Sequence, residues 1–187
     1  MRKKTAGVVA ALGIAGIAVS APAWASAGGG SRPVRQVDAQ TRSDISELVG
    51  EYANFWEFGY CQQWANLFSQ DGVFDVPQFH AHVVGRAALQ STCEAAQSPN
   101  GGGDTQEHAQ VNTMLVYVDS KHVRGLTNLI FGNLNDPTSG ASTFSGYGDY
   151  VDMFVRTSQG WRIESRTAGG HKTLGLPQEF LAPRTSG

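Results

Sequence analysis

Hydrophobic residues in the first third of the chain recur at three- and four-residue spacing, which is the period of an amphipathic helix. They follow the capping-box-like segment 41–44, and Gly59 supplies a stop signal. This first predicted helix carries Ile45, Leu48, Val49, Tyr52, Phe55 and Trp56 on its apolar side. The same period predicts a short second helix over residues 61–68 and a third helix over residues 86–96.

From residue 108 onward the hydrophobic period changes to two, which is typical of half-buried β-strands. Four long strands are predicted over residues 108–118, 123–134, 144–157 and 161–167, after a short strand at 73–76 and an extended edge at 79–84. Helices followed by a run of strands predict an α+β fold. We expect a curved antiparallel sheet that wraps around the N-terminal helices and encloses a cone-shaped pocket.

The N-terminal residues 1–25 have the composition of a secretory signal peptide. Three basic residues precede the uncharged run 7–19, and Ala23-Trp24-Ala25 matches the cleavage pattern, with a second candidate site two residues later. The alternative is an uncleaved anchor, but the run is short for a bilayer span of about 20 residues. We therefore expect a secreted protein without membrane contact after signal removal. Its parts are then a flexible lead-in (26–40), one domain (41–172) and an irregular tail (173–187).

Charge and cysteine content narrow the classes of partner. The chain has 14 basic and 16 acidic side chains, so it offers no basic stripe for the phosphates of a nucleic acid. In an oxidising compartment the pair Cys61 and Cys93 favours one disulfide, although two buried thiols remain the alternative. Two cysteines are too few for a four-thiolate zinc site, and His80-x-His82 lacks a convincingly spaced third ligand. Neither a metal nor another cofactor is predicted.

Several short motifs occur in a defined order along the chain. They are Tyr52-Ala-Asn-Phe-Trp-Glu57-Phe-Gly59, Trp64-Ala-Asn-Leu67-Phe68, Asp71-Gly72-Val73-Phe74, Gly85-Arg86, His108-x-x-x-Asn112, Gly148-x-Tyr150-x-Asp152 and Gly160-Trp161-Arg162-Ile163-x-x-Arg166. In this order and spacing the chain resembles the SnoaL-like branch of the nuclear transport factor 2-like superfamily. That superfamily includes scytalone dehydratase, ketosteroid isomerase and polyketide cyclases, together with members that only bind or assemble, so the fold alone does not settle the function.

The resemblance implies a catalytic pair. Glu57 stands where dehydratase-like members have an aspartate on the first helix, and His108 stands at the position of their first sheet histidine. Their second sheet histidine has no clear counterpart, because the corresponding stretch 130–133 reads Ile-Phe-Gly-Asn. This departure weakens the match to a scytalone-type dehydratase.

Residue chemistry supports the same pair. Glu57 lies among large apolar rings, where desolvation raises the pKa of a carboxyl, and a histidine with a pKa near 6.5 acts as acid or base near neutrality. Strict alternation puts His108, Gln110, Asn112, Met114 and Val116 on one strand face. The predicted substrate-binding groups are Asn112 and Asn128, holding an enolate oxygen, and Tyr52 and Tyr60 as donors at the pocket mouth. The structural alternatives are a strand-end histidine, a solvated helix-end carboxylate, and an Asp152–Arg166 pair within the sheet.

Three functions are compatible with these residues. The first is a cofactor-independent lyase or isomerase, of dehydratase or cyclase type, acting on a hydrophobic small molecule. The second is a secreted module that binds such a molecule without turnover, and the third is an assembly domain whose sheet face forms a homodimer. The enzyme hypothesis requires Glu57 and His108 to open into one closed pocket.

Overall fold

The computed structural model describes residues 33–97, 106–133 and 141–185. The predicted signal peptide, both cleavage sites and most of the predicted lead-in lie outside the described residues. Within the described part of the chain, no helix is long and apolar enough to cross a bilayer.

Four helices occur in the described residues: α1 (Ala39–Glu57), α2 (Cys61–Asn66), α3 (Arg86–Gln97) and the short α4 (His171–Leu174). Helix α1 begins two residues earlier than the sequence pattern predicts, because Asp38 caps it by accepting a hydrogen bond from the backbone N–H of Thr41. Its buried side consists of Thr41, Ile45, Leu48, Val49 and Tyr52. Gly59 lies just after α1 with a φ of 71°, a left-handed conformation that glycine adopts without strain. The predicted stop signal is therefore real.

Six strands form one curved sheet over the helices. They are β2 (Phe68–Val76), β3 (Ala81–Val84), β4 (Gln106–Tyr117), β5 (His122–Asn133), β6 (Thr143–Thr157) and β7 (Gly160–Gly169), in the spatial order β3-β2-β7-β6-β5-β4. The long strands predicted from the period of two are confirmed. The sheet is mixed, however, because β2 pairs with β7 in parallel while every other pairing is antiparallel.

A β-bulge in the middle of β4 changes which side chains face the helices. Val111 pairs with Asn128 and Met114 pairs with Leu126, so Asn112 and Thr113 together oppose the single residue Thr127. Asn112 has a φ of 55°, in the left-handed region that asparagine tolerates better than most residues. The inward set of β4 is His108, Gln110, Thr113, Leu115 and Tyr117. Strict alternation through Asn112 to Met114 and Val116 is wrong, because the extra residue shifts the phase.

The core lies between the helices and the inner, concave face of the sheet. Its fully buried side chains include Ile45 from α1, Trp64 from α2, Leu89 from α3 and Phe154 from β6. A disulfide joins Cys61 of α2 to Cys93 of α3, with a Cα–Cα distance of 5.4 Å. The predicted disulfide is confirmed, and it fixes the two shorter helices to each other.

The C-terminal segment is packed rather than irregular. Phe180 is buried against Val116 and Leu126 on the outer face of the sheet. Farther along, β8 (Arg184–Thr185) pairs in parallel with β1 (Val34–Arg35), which joins the two ends of the domain. Residues before Thr41 and after Lys172 therefore contribute to the folded unit.

Candidate functional site

An apolar cavity of about 350 Å³ lies between α1 and the inner face of the sheet. Aromatic rings from four different elements form most of its wall: Trp56 of α1, Phe74 of β2, Phe131 of β5 and Phe79 in the turn between β2 and β3. Leu129, Val76 and Ala168 complete the apolar surface. A volume of this size accommodates a small ring compound.

Two tyrosines contribute to the wall of this cavity. Tyr52 of α1 and Tyr150 of β6 both line it, and their rings meet edge to face with centroids 5.7 Å apart. Burial raises the pKa of Tyr52 to about 12 and raises the pKa of Tyr150 well above its ordinary value. Both phenols therefore stay protonated near neutral pH, and their hydroxyl groups hydrogen-bond to each other.

A fully buried ion pair supports the two tyrosines. The guanidinium of Arg166 donates to both carboxylate oxygens of Asp152 at 2.7 and 2.9 Å, and both side chains are 0% exposed. The same guanidinium lies 3.9 Å from the ring centroid of Tyr52 and 4.2 Å from that of Tyr150. Gln110 accepts from Arg166 and donates to the backbone carbonyl of Val49, which connects the pair to α1. The predicted structural pairing of Asp152 with Arg166 is confirmed.

His108 and Glu57 meet at the side of the cavity. The carboxylate of Glu57 accepts a hydrogen bond from the backbone N–H of His108, and its Oε1 lies 3.5 Å from the ring Nδ1. That Nδ1 is buried and has no hydrogen-bond partner among the described residues. Desolvation lowers the pKa of His108, while desolvation and the nearby charge of Glu107 raise the pKa of Glu57, partly offset by the hydrogen bond from His108.

The two groups share one cavity, but it is not the apolar one. His108 lines the apolar cavity, whereas Glu57 lines a second, polar cavity of about 380 Å³ between α1 and β4. His108 and Ala53 line both cavities. His108 therefore lies where the apolar and polar cavities adjoin, and Glu57 lies on the polar side.

The family follows from the sequence itself. The family model described as "SnoaL-like domain" matches residues 37–167, which is most of the chain. The chain belongs to the SnoaL-like domain family. The match extends four residues before the predicted start of the domain at residue 41 and ends before its predicted end at residue 172. No curated protein matches the chain.

Solved structures show the same fold as this SnoaL-like domain. An NTF2-like protein with a cystatin-like fold from Novosphingobium aromaticivorans is 22% identical, with a TM-score of 0.61 over 69% of this chain and 80% of that one. ActVI-ORFA from Streptomyces coelicolor is 15% identical, with a TM-score of 0.61 over 70% of this chain and 97% of that one. A candidate scytalone dehydratase from Novosphingobium aromaticivorans is 16% identical, with a TM-score of 0.54 over 70% and 87%. At these identities the similarity establishes the fold alone.

Of the four predicted substrate-binding residues, only Tyr52 lines the apolar cavity of the SnoaL-like domain. Tyr60 is 55% exposed and packs on Phe55, because it follows the Gly59 turn and lies at the surface just before α2. Asn112 and Asn128 hydrogen-bond to each other at 3.2 Å, and Asn128 donates to Asp149 at 2.8 Å. Neither asparagine lines the cavity, since Asn112 is the bulge residue and Asn128 alternates with the inward-facing Leu129.

Sequence reasoning missed Tyr150 and Trp56 as cavity residues of the SnoaL-like domain. The signal for Tyr150 was available: it stands two residues from Asp152 on a strand, so both side chains share a face. Trp56 was assigned to the core of the first helix, and nothing in a helical period separates core from cavity wall. The segment His80-x-His82 shows a local contact only, between His82 and Asp75. Within the described ranges, no group of three or more His, Cys, Asp and Glu side chains is arranged around a metal.

Proposed function

We propose that this SnoaL-like protein is a secreted, cofactor-independent acid–base enzyme, a lyase or isomerase of dehydratase or cyclase type. Its substrate is a hydrophobic ring or polyketide-like molecule that carries a carbonyl oxygen. The observation that carries the proposal is that one imidazole, His108, and two phenols, Tyr52 and Tyr150, line the same apolar cavity. A base and hydrogen-bond donors around an apolar chamber are what removal of a proton next to a carbonyl requires.

His108 is the proposed general base. Because burial lowers its pKa, the ring is neutral near pH 7 and has a lone pair available for a substrate proton. Glu57 is the proposed orienting group, since its carboxylate accepts from the backbone N–H of His108, and its charge, 3.5 Å from Nδ1, favours the tautomer that carries the proton there. In this arrangement Nε2 is the nitrogen that accepts the substrate proton. Glu57 therefore acts through His108 and need not touch the substrate.

Tyr52 and Tyr150 are the proposed donors to the substrate oxygen. Their high pKa values keep the phenols protonated, and the buried Arg166 beside both rings favours negative charge that develops nearby. They take the role that the sequence assigned to Asn112 and Asn128. One donor of this kind typically contributes a few kcal/mol to the stability of an enolate-like transition state.

Secretion is part of the proposal. The disulfide between Cys61 and Cys93 is compatible with an oxidising compartment, where such bonds persist. The sequence of residues 1–25 supplies the signal that would send the protein there. Mass spectrometry of the exported protein tests both points: the N-terminal residue shows whether the signal peptide is cleaved, and the absence of free thiols shows the disulfide.

Binding without turnover is the second candidate. It is favoured by one observation: Glu57 lines the polar cavity, so the apolar cavity holds a single imidazole and no carboxylate of the predicted pair. A homodimer stays a prediction as well. The outer face of the sheet carries the exposed apolar side chains Val111, Ile130 and Tyr147, which a second copy of the chain would cover.

The test begins with a thermal-shift screen of hydrophobic ring compounds, followed by turnover assays on those that bind. We expect His108→Gln and Tyr150→Phe to lower kcat by about 10²-fold or more, consistent with loss of a base or of an oxyanion donor. The matched control is Asn128→Ala on the outer face, which should leave kcat unchanged. Binding with no turnover by the parent protein would support the second candidate, and equal kcat in His108→Gln and the parent would reject the site.

A further inference from the structure

The proposed reaction takes place in the apolar cavity and assigns no role to the polar cavity beside it. The polar cavity is bounded by α1 on one side and β4 on the other, and it reaches Glu57, Gln110, Ser46 and Thr113. Polar side chains line this cavity, whereas aromatic rings line the apolar cavity. Water can therefore occupy the polar cavity and form hydrogen bonds there. The apolar cavity offers few such partners and excludes water once a ligand fills it.

The two cavities touch through a single titratable side chain. His108 lines both of them, and Glu57, 3.5 Å from its Nδ1, lines the polar one. We propose that the polar cavity is a proton passage, in which Glu57 carries protons between His108 and solvent while the ligand occupies the apolar cavity. This inference rests on the proposed role of His108 as the base, and it adds a separate route for the proton.

The proton balance of the route is simple. Nε2 of neutral His108 accepts a proton from the ligand, and the imidazolium then gives its Nδ1 proton to the carboxylate of Glu57. Neutral Glu57 releases that proton to water in the polar cavity and returns to the carboxylate. The reverse sequence restores the Nδ1 proton when Nε2 returns its own to a leaving group or to another carbon. No oxidant, metal or further reactant is required.

Electrostatics support a short-lived proton on either partner. The ordinary pKa values of a glutamate and a histidine are 4.5 and 6.5, and the protein raises the first and lowers the second. The difference between the two pKa values therefore becomes smaller, which makes proton transfer between the two groups easier in both directions. Glu107 of β4 is the other carboxylate facing this cavity, and its charge is one of the causes of the raised pKa of Glu57.

Gly50 provides a way to close the passage without touching either partner. It lies in α1 on the wall of the polar cavity, and a Cβ at this position meets no atom within 4 Å. We expect a leucine at this position to fill the open space on this wall of the cavity, whereas an alanine leaves most of that space open. Both replace a helical glycine, so both should preserve or raise stability by about 1 kcal/mol.

The experiment measures hydrogen exchange of the His108 ring N–H by ¹⁵N NMR in the full domain. We expect exchange in Gly50→Leu to be slower by about tenfold or more than in the matched control Gly50→Ala. Glu57→Gln should slow it as well, with the passage still open, because an amide does not relay a proton at neutral pH. Equal exchange rates in Gly50→Leu and Gly50→Ala would overturn the proposal.

Two further readouts keep the outcome decisive. If Gly50→Leu fails to fold, Ser46→Leu and Ser46→Ala, one helical turn earlier on the same wall, replace the pair. In an active protein Gly50→Leu should lower kcat and leave KM unchanged, because the apolar cavity is intact. Since the exchange measurement needs no turnover, slow exchange in an inactive protein would support the passage and reject only the proposed function.

Discussion

The two faces of the sheet use polar residues in different ways. On the inner face, Arg166 and Asp152 form a bidentate pair with no exposure, under the rings of two tyrosines. On the outer face, a hydrogen-bonded chain runs from the exposed Asn112 through the half-buried Asn128 to the buried Asp149. The inner pair is closed off from solvent on all sides, whereas the outer chain starts at a solvent-exposed side chain.

The outer face is also closed differently from the inner face. Helices cover the inner face, whereas the C-terminal segment covers part of the outer face with Phe180, which packs on Val116 and Leu126. A single inserted residue in β4 decides which side chains belong to which face. If β4 alternated regularly through Asn112 instead of bulging there, the residues that follow it would exchange sides. The comparison therefore depends on local backbone geometry as much as on composition.

Deletion of Met114, which lies just after the bulge, should have the largest effect. It keeps the bulge and shifts the rest of β4 by one residue, so Leu115 and Tyr117 turn outward and Val116 turns inward. The loss of two buried side chains, at about 2–3 kcal/mol each, together with the mismatch of the new ones, should unfold the domain or leave it without fixed packing. Near-UV circular dichroism and urea unfolding measure this.

The control for this deletion is Asn112→Gly. It keeps the extra residue and removes only the side chain and its bond to Asn128, and glycine accepts the φ of 55° freely. We expect a stability within about 0.5 kcal/mol of the parent. A deletion variant with the unfolding midpoint of the parent would show that β4 tolerates either phase, and the assignment of faces would then lose its basis.

Arginine substitution compares the two faces directly and should give the second largest effect. Arg166→Met leaves Asp152 as an unpaired buried charge. Removing one partner of a buried ion pair typically lowers the free energy of unfolding by about 3–5 kcal/mol. On the outer face, Arg124→Met removes a partly exposed ion pair with Glu179 at 3.5 Å, a contact worth about 1 kcal/mol or less. Urea unfolding at pH 7 measures both variants. The structure indicates that the Arg166–Asp152 pair is isolated from water. Similar losses of stability in the two variants would contradict this.

Most of the fold was predictable because the pattern of hydrophobic residues is periodic and local. The helical spacing from Ile45 to Trp56 and the alternation in β5 and β6 each depend on neighbours within a few residues, and both were confirmed. The parallel pairing of β2 with β7 was not predictable, since no local pattern distinguishes a parallel partner from an antiparallel one across about 90 residues of intervening chain.

The candidate site was predictable only in part, for the same reason. His108 and Tyr52 reach the apolar cavity as expected, because each lies on an element whose face was assigned correctly. Asn112 could not be placed, since a bulge depends on the register of β4 against β5 and has no strong signature in one sequence. Glu57 lies 3.5 Å from the ring of His108, yet no pattern in one sequence indicates that a second cavity lies beside the two residues.

The smallest expected effect concerns Tyr117, which faces inward only because of the bulge. Its hydroxyl donates to Asp38 at 2.7 Å, and the backbone N–H of Thr41 and this phenol together lower the pKa of Asp38 to about 2 from an ordinary 3.8. A carboxyl with a lowered pKa stabilises the fold above pH 3.8, and this contribution is lost as the pH falls toward 2. In Tyr117→Phe the pKa of Asp38 should rise toward 3.8 while the N–H of Thr41 still holds it below that value.

Carbon-detected NMR titration of the Asp38 carboxyl measures the change, with the exposed Tyr147→Phe as the matched control. If the Asp38 pKa is the same in both variants, the hydroxyl of Tyr117 does not contact Asp38. The inward orientation of Tyr117, and of the β4 residues after the bulge, would then be wrong.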